Sequence, residues 1–173
     1  LAERRPGSPF RVWSAACSSG EEPFTLAMVL ADRLGETPWE IVASDISTRV
    51  LERARSGLYA MERARHIPQR YLQEYCLKGV GSQEGRFLID KRLRARVSFQ
   101  QINLNETLPQ LGEFDVVFLR NVMIYFNTDT KARVVERIAA TLKPGGYLII
   151  GHSESLNGVT DVLSAVRPSV YRK

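Results

Sequence analysis

The sequence predicts an α/β fold, a Rossmann-like and mostly parallel sheet carrying a small antiparallel β insertion. Three observations lead there. Apolar runs of strand length alternate with amphipathic helical stretches, turn residues punctuate each junction, and the rhythm breaks in one place, between Leu58 and Phe99. At 173 residues the chain has the size of one domain, enough to bury roughly 70% of its unfolded-chain surface.

Arg11 to Ala16 (RVWSAA), bounded by Pro9 and a Cys-Ser-Ser-Gly turn, reads as a buried strand. A helix follows, with Glu21 and Glu22 at the positive end of its dipole, Pro23 in the first turn, and a stripe of Phe24, Ala27, Met28 and Ala31 ending before Gly35. Trp39 to Ser44 (WEIVAS) is a second strand. Ser47 is placed to cap a helix carrying Val50, Leu51 and Ala54, which stops at Gly57. Pro68 opens a short helix with Tyr71, Leu72, Tyr75 and Cys76 on its apolar face, and the glycine-rich GVGSQEG stretch (Gly79 to Gly85) follows. Phe87 to Asp90 and Arg96 to Phe99 read as strands of the insertion, which spans residues 58–99 of a domain covering 1–173. Gln101 to Leu104 (QINL) and Phe114 to Leu119 (FDVVFL) resume the sheet. A helix from Thr128 to Leu142 then turns through Lys143-Pro144-Gly145-Gly146 into the strand Tyr147 to Gly151, and Ser169 to Tyr171 supplies a final strand.

Composition excludes several classes. Apolar runs such as Val116 to Leu119 and Tyr147 to Ile150 fall far below the ~20 residues of a membrane-spanning helix, so no membrane insertion is expected. Cys17 and Cys76 lack CxxC spacing, which favours a reducing compartment and a cytoplasmic location. His66 and His152 lack the companions of a metal site, so no metal is expected. The chain begins LAERRPGSPF, without Met and without an apolar signal region, and reads as part of something longer. Its net charge of +5 is unevenly spread: six arginines and His66 lie between Arg49 and Arg70 against only Glu52 and Glu62. Such a basic face is either a solvated surface or a site for an acidic partner.

Ligands of open parallel sheets bind beyond the carboxyl ends of the strands, so the residues just after each strand carry the chemistry. The first such turn, Ser18-Ser19-Gly20-Glu21-Glu22-Pro23, is not GxGxxG, and its acids would repel a dinucleotide pyrophosphate. They suit a cationic, hydroxyl-rich ligand. Asp45 after the second strand either holds ribose hydroxyls or caps the next helix beside Ser47. S-adenosylmethionine, a nucleoside with a sulfonium, an amino group and no phosphate, meets these requirements. Cys17 reads as a small packing residue before a nucleophile. Neighbours in an extended His152-Ser153-Glu154 would point to opposite faces, which disfavours a hydrolase pair.

Five stretches together, RVWSAACSSGEEPFTLA (Arg11 to Ala27), ASDIS (Ala43 to Ser47) with VLERARSGLY (Val50 to Tyr59), FDVVFLRNVMIYF (Phe114 to Phe126), LKPGGYL (Leu142 to Leu148) and GHSES (Gly151 to Ser155), closely resemble the CheR-type chemoreceptor glutamate methyltransferases. The resemblance implies a class I methyltransferase fold that uses S-adenosylmethionine, releases S-adenosylhomocysteine, and forms glutamyl methyl esters on the cytoplasmic region of bacterial chemoreceptors. By position it implies cofactor contacts at Glu22, Asp45, Asn103, Leu104, Arg120 and Asn121, and a place beside methyl transfer for Tyr125, whose other reading is a core aromatic. It further implicates Gly79, Gly81 and Gly85 in docking the receptor's C-terminal tail peptide, as an added strand. The family's N-terminal helical domain, which contributes an arginine and covers the site, has no counterpart before Arg11, so weak activity is expected of this chain alone. Ser47 stands where the family commonly has an acid.

Two other functions remain open: a non-catalytic module that senses the cofactor or docks receptor tails, and a class I methyltransferase with another substrate. Base-amino methyltransferases carry an Asn/Asp-Pro-Pro-aromatic motif where this chain has Arg120-Asn121-Val122-Met123, which disfavours nucleic acid as a partner.

Overall fold

The computed structural model describes residues 7–173; the first six residues of the expected domain lie outside that range. In chain order the elements are β1 (Phe10–Ser14), α1 (Glu21–Leu34), β2 (Trp39–Asp45), α2 (Thr48–Ser56), β3 (Leu58–Ala60), α3 (Gln69–Tyr75), β4 (Cys76–Lys78), β5 (Arg86–Ile89), α4 (Lys91–Arg94), β6 (Val97–Gln101), β7 (Phe114–Leu119), α5 (Thr128–Thr141), β8 (Leu142–Ile150), β9 (Ser164–Arg167) and β10 (Val170–Arg172). Short 3₁₀ turns cover Met61–His66, Gly81–Gln83 and Met123–Tyr125.

Strand alternation divides the apolar residues between two cores. Val12, Ile41, Ala43 and Val97 face one way, against Phe24, Ala27 and Met28 of α1 and Leu51 of α2. Trp13, Val42, Val117 and Leu119 face the other, against Val134, Val135, Ile138 and Ala139 of α5. The seven-stranded sheet has the order β6-β2-β1-β7-β8-β10-β9. Strands β6, β2, β1, β7 and β8 run parallel, and β10 is antiparallel to both its neighbours. The chain winds outward from β1 to β6, then crosses to β7 on the other side of β1, so the order reverses between β1 and β7. That reversal opens a crevice at their carboxyl ends.

A second sheet, in the order β3-β5-β4 and antiparallel throughout, packs its Tyr59, Phe87 and Ile89 into the core beneath α1 and α2. The edge strand β6 corrects the expectation over residues 96–104. Val97–Gln101 pairs in parallel with β2 and so belongs to the large sheet, and Ile102 to Leu104 is the loop beyond it. The Pro144-Gly145-Gly146 stretch lies inside β8 as an irregularity opposite β7, and strands β3, β4 and β9 are additional to the expected ones. Gly57 ends α2 in the left-handed region (φ 61°), its N–H bonded to the Ala54 carbonyl. Ser47 occupies the N-cap position of α2 without the side-chain capping bond expected of it, and its own N–H donates to Asp45 Oδ1. No helix among the described residues is long and apolar enough to cross a membrane.

Candidate active site

The crevice is built outward from two fully buried serines. The Ser44 hydroxyl accepts the Trp13 indole N–H at 2.9 Å and donates to the Ala15 carbonyl at 3.1 Å, locking the ends of β1 and β2 together. The Ser14 hydroxyl donates to Glu22 Oε1 at 2.8 Å. Arg120, just after β7, donates to Glu22 Oε2 at 3.2 Å, so one carboxylate spans the place where strand order reverses. The turn that brings Glu22 there requires glycine. Gly20 has φ 92°, and a Cβ on it would lie 2.8 Å from both the Ala54 methyl and the Tyr59 hydroxyl.

Asp45 makes two backbone hydrogen bonds where β2 meets α2. Its Oδ1 accepts the Ser47 N–H at 3.0 Å, which starts α2, and its Oδ2 accepts the Ser18 N–H at 2.9 Å, which ties the turn after β1 to the end of β2. Each oxygen keeps a second lone pair for a ligand hydroxyl. Glu21 accepts hydrogen bonds from the Ser19 hydroxyl at 2.8 Å and from Arg63 at 3.1 Å, and the Tyr59 hydroxyl donates to the Ser19 carbonyl at 2.8 Å. Through Tyr59 of β3 and Arg63 of the 3₁₀ turn that follows it, the small lobe grips the turn after β1. Burial, with Glu21 nearby, pushes the Tyr59 phenol above its ordinary value, so it stays a donor.

Cys17 sits under this turn, 3% exposed. Burial first, then the Asp45 charge, pushes its thiol up to about 12, so it is no thiolate nucleophile near neutral pH. Beyond β6, the Asn103 amide donates to Glu106 at 2.9 Å and its carbonyl oxygen accepts the Asn105 N–H at 3.0 Å, while Leu104 is buried. Arg137 of α5 fixes the Leu104 and Asn105 carbonyls at 3.2 and 2.9 Å.

Tyr125 ends the 3₁₀ turn after β7 and is 79% exposed, which removes the core-aromatic reading. Glu22 and Arg120 are thus in direct contact and Asp45 is bonded to the neighbouring turn, while no hydrogen bond among the described residues joins the Tyr125 or Asn103 side chain to them. Gly79, Gly81 and Gly85 lie between β4 and β5. Gly79 donates its N–H to the Arg86 carbonyl, and a Cβ there would overlap the Gln83 carbonyl, so its first task is to shape the hairpin.

Sequence reasoning passed over Glu154. Its carboxylate accepts the N–H groups of Gly151 (2.7 Å), Met123 (2.9 Å) and Asn121 (3.0 Å), and Asn121 has φ 59°. These donors are dispersed along the chain, so no local spacing signals the contact; the one hint is Gly151, where a Cβ would lie 2.7 Å from Glu154 Oε2.

Concavities of about 270 and 500 Å³ lie around Trp39, Arg92 and Arg96, and none of the candidate site residues above lines them. The carboxyl end is identified by chemistry. Acceptors cluster there, two acids occupy the first turn of α1 where a phosphate would otherwise sit, and the set fits a phosphate-free nucleoside with a cationic tail.

Comparison with known proteins agrees with this fold. Among solved structures, a TehB-like SAM-dependent methyltransferase from Corynebacterium glutamicum superposes with a TM-score of 0.54 at 12% identity, over 95% of this chain and 80% of that one. The CMeT domain of the citrinin polyketide synthase gives 0.53 at 18% identity, over 96% of this chain and 37% of that one. At such identities the likeness is one of fold. Among characterised proteins, the chemotaxis protein methyltransferase of Escherichia coli K12 is 46% identical over 161 residues, covering 90% of this chain and 55% of the relative. That of Salmonella typhimurium is 43% identical over 173 residues, covering 98% of this chain and 60% of the relative. The chain therefore spans little more than half the length of these relatives. The model of the CheR methyltransferase SAM-binding domain matches residues 1–171, and the chain belongs to that family.

Proposed function

We propose that the protein containing this domain methylates glutamate side chains on the cytoplasmic region of bacterial chemoreceptors, using S-adenosylmethionine, and that it works in the cytoplasm. The observation that carries this reading is the carboxylate pair at the strand-order reversal, Glu22 joined to Arg120 and Asp45 joined to the adjoining turn, in a chain of the CheR family. When bound, the cofactor supplies an electrophilic sulfonium methyl group. The chain's own residues bind and orient. Asp45 accepts the ribose hydroxyls, Glu22 and Arg120 line the crevice, Asn121 and the backbone at Asn103 and Leu104 complete the cofactor's surroundings, and the exposed Tyr125 hydroxyl orients the incoming carboxylate. No side chain needs to remove a proton, since a glutamate with a pKa near ~4.3 is already ionised at neutral pH. Alignment of the reacting atoms, worth roughly 7 to 11 kcal/mol in favourable cases, is the main contribution asked of the protein.

Substrate charge fits the surface beside the crevice. Arg49 and Arg53 of α2 and Arg65 and His66 of the following turn are exposed, and Arg63 reaches back to Glu21. A glutamate-rich receptor segment is the complementary partner. For tail peptides the β4 edge is the available one. Tyr75, Leu77 and Gly79 face β5, which leaves the Lys78 N–H directed outward, with Leu77 and Val80 exposed beside it. The glycines at 79, 81 and 85 shape the adjoining loop. Residues upstream in the longer relatives are proposed to supply the cover and the further arginine.

Transfer of labelled methyl groups from S-adenosylmethionine to a receptor cytoplasmic fragment tests the proposal. Base-labile label on the receptor is expected. Cofactor binding without any transfer, by a version extended through the upstream domain, would make it a sensing module instead.

A further inference from the structure

We infer that Glu154 is a positioning residue of the methyl-transfer site, acting by holding the backbone of the turn that presents Asn121 and Tyr125. The inference rests on the function proposed above. Three backbone N–H groups from two strand ends converge on this carboxylate: Asn121 and Met123 after β7, at 3.0 and 2.9 Å, and Gly151 after β8, at 2.7 Å. All are charge-assisted bonds, the strong class. They pin a segment that is otherwise poorly determined, since Asn121 is left-handed (φ 59°) and the turn it enters is a single 3₁₀ turn of three residues, Met123–Tyr125.

The carboxylate is itself held from behind. The Glu154 N–H donates to the Gly151 carbonyl at 3.0 Å, and that same carbonyl accepts the Ser169 hydroxyl at 3.3 Å. Leu156, two residues on, is buried and donates its N–H to the Tyr171 hydroxyl at 3.1 Å. Glu154 therefore transmits the rigidity of β8 and β10 to the β7 turn. Gly151 makes room for it, since a Cβ there would lie 2.7 Å from Glu154 Oε2 and 2.9 Å from Asn121 Oδ1. His152 and Ser153 beside it are exposed.

Three converging N–H groups also make an anion site, which the protein fills with its own carboxylate. Without Glu154 those donors would be free to capture the substrate glutamate away from the methyl group. This gives a test beyond stability. In Glu154→Ala, single-turnover methyl transfer to a receptor fragment at saturating cofactor is expected to fall about tenfold or more, beyond any rise in the dissociation constant for S-adenosylhomocysteine. Added acetate should restore the rate saturably in Glu154→Ala, by occupying the vacated donors, and leave the wild type unchanged. Glu154→Gln, retaining one acceptor oxygen, should fall between the two. Amide hydrogen exchange reads the geometry without any substrate: in Glu154→Ala, Asn121, Met123 and Gly151 should lose protection while the β1 and β2 amides keep theirs. A rate within about twofold of wild type for Glu154→Ala overturns the inference. So does a loss that follows only the unfolded fraction and ignores acetate. If a wild-type version extended by the upstream residues of the longer relatives transfers no methyl group, the proposed function fails, and the exchange experiment still decides whether Glu154 holds the turn.

Discussion

Replacing Asp45 by alanine removes a carboxylate with two observed tasks and a third that we propose. It frees the Ser18 and Ser47 N–H groups, bonded at 2.9 and 3.0 Å, and would deprive a bound ribose of the charged acceptor proposed for it. The two N–H groups lie near the surface and regain water, so their loss should lower stability by about 1 kcal/mol, or roughly 2 to 4 °C in melting temperature for a domain of this size. The ligand contact costs more, because a hydrogen bond to a charged group contributes about 1.5 to 3 kcal/mol. Taking about 2 kcal/mol, the dissociation constant for S-adenosylhomocysteine should rise about 30-fold. Asp45→Asn keeps one oxygen and loses the charge, so its affinity should lie between wild type and alanine. Isothermal titration calorimetry on all three proteins, each checked for a cooperative melt, gives the comparison. Equal affinity for wild type and Asp45→Ala, both folded, would take Asp45 out of the cofactor site and with it the main argument for a ribose there.

Other perturbations test separate parts. Glu22→Ala should destabilise the chain by about 1 to 2 kcal/mol, because the buried Ser14 hydroxyl and Arg120 both lose their acceptor; an unchanged denaturant midpoint would mean the bridge contributes nothing. Burial raises both thiols, Cys17 to about 12 and Cys76 to about 11, and Cys17 is the more deeply buried. Native protein at pH 8 should therefore be alkylated at Cys76 before Cys17, which peptide mapping would reveal, and the reverse order would contradict the packing. The same raised pKa values make each thiol's contribution to stability complete below about pH 9, the ordinary thiol value, and progressively lost above it as the unfolded chain ionises first. Lys78→Pro removes only an outward N–H and should abolish binding of a receptor tail peptide while leaving cofactor affinity intact; undiminished peptide binding would move the docking edge elsewhere. A version extended by the upstream residues of a longer relative should transfer methyl groups faster than this chain at saturating cofactor, and equal single-turnover rates would show that those residues do not complete the site.

How much was legible in the sequence depends on burial. β1, β2 and β7 are interior strands covered on both faces, and their near-continuous apolar runs, RVWSAA, WEIVAS and FDVVFL, announce them within a residue or two. β6 is an edge strand with only Val97 fully buried. Its weak alternation was divided between two neighbouring segments, one assigned to the insertion and one placed beyond the true strand. All four residues of β9 are exposed, so no hydrophobic pattern marks it, and β3 and β4, at three residues each, are too short to show any period. The placement of Glu22, Asp45 and Arg120 at one end of the sheet was legible, because the turns that leave parallel strands gather there. Glu154 was not, because its partners are backbone N–H groups, which every residue but proline has and no sequence pattern reveals.

The small sheet shares its core with α1 and α2: Tyr59, Phe87 and Ile89 pack in one cluster with Phe24 and Met28, and Tyr59 reaches through to the Ser19 carbonyl. It follows that the insertion is not a detachable accessory. Cutting residues 58–89 out and closing the chain would strip aromatic rings from the floor of α1 and leave the Gly20 turn without its wall. The same logic constrains grafting: a chimera that exchanges this lobe for that of a relative must carry the Tyr59 ring across the junction, or the exchanged lobe will disturb the large sheet along with itself.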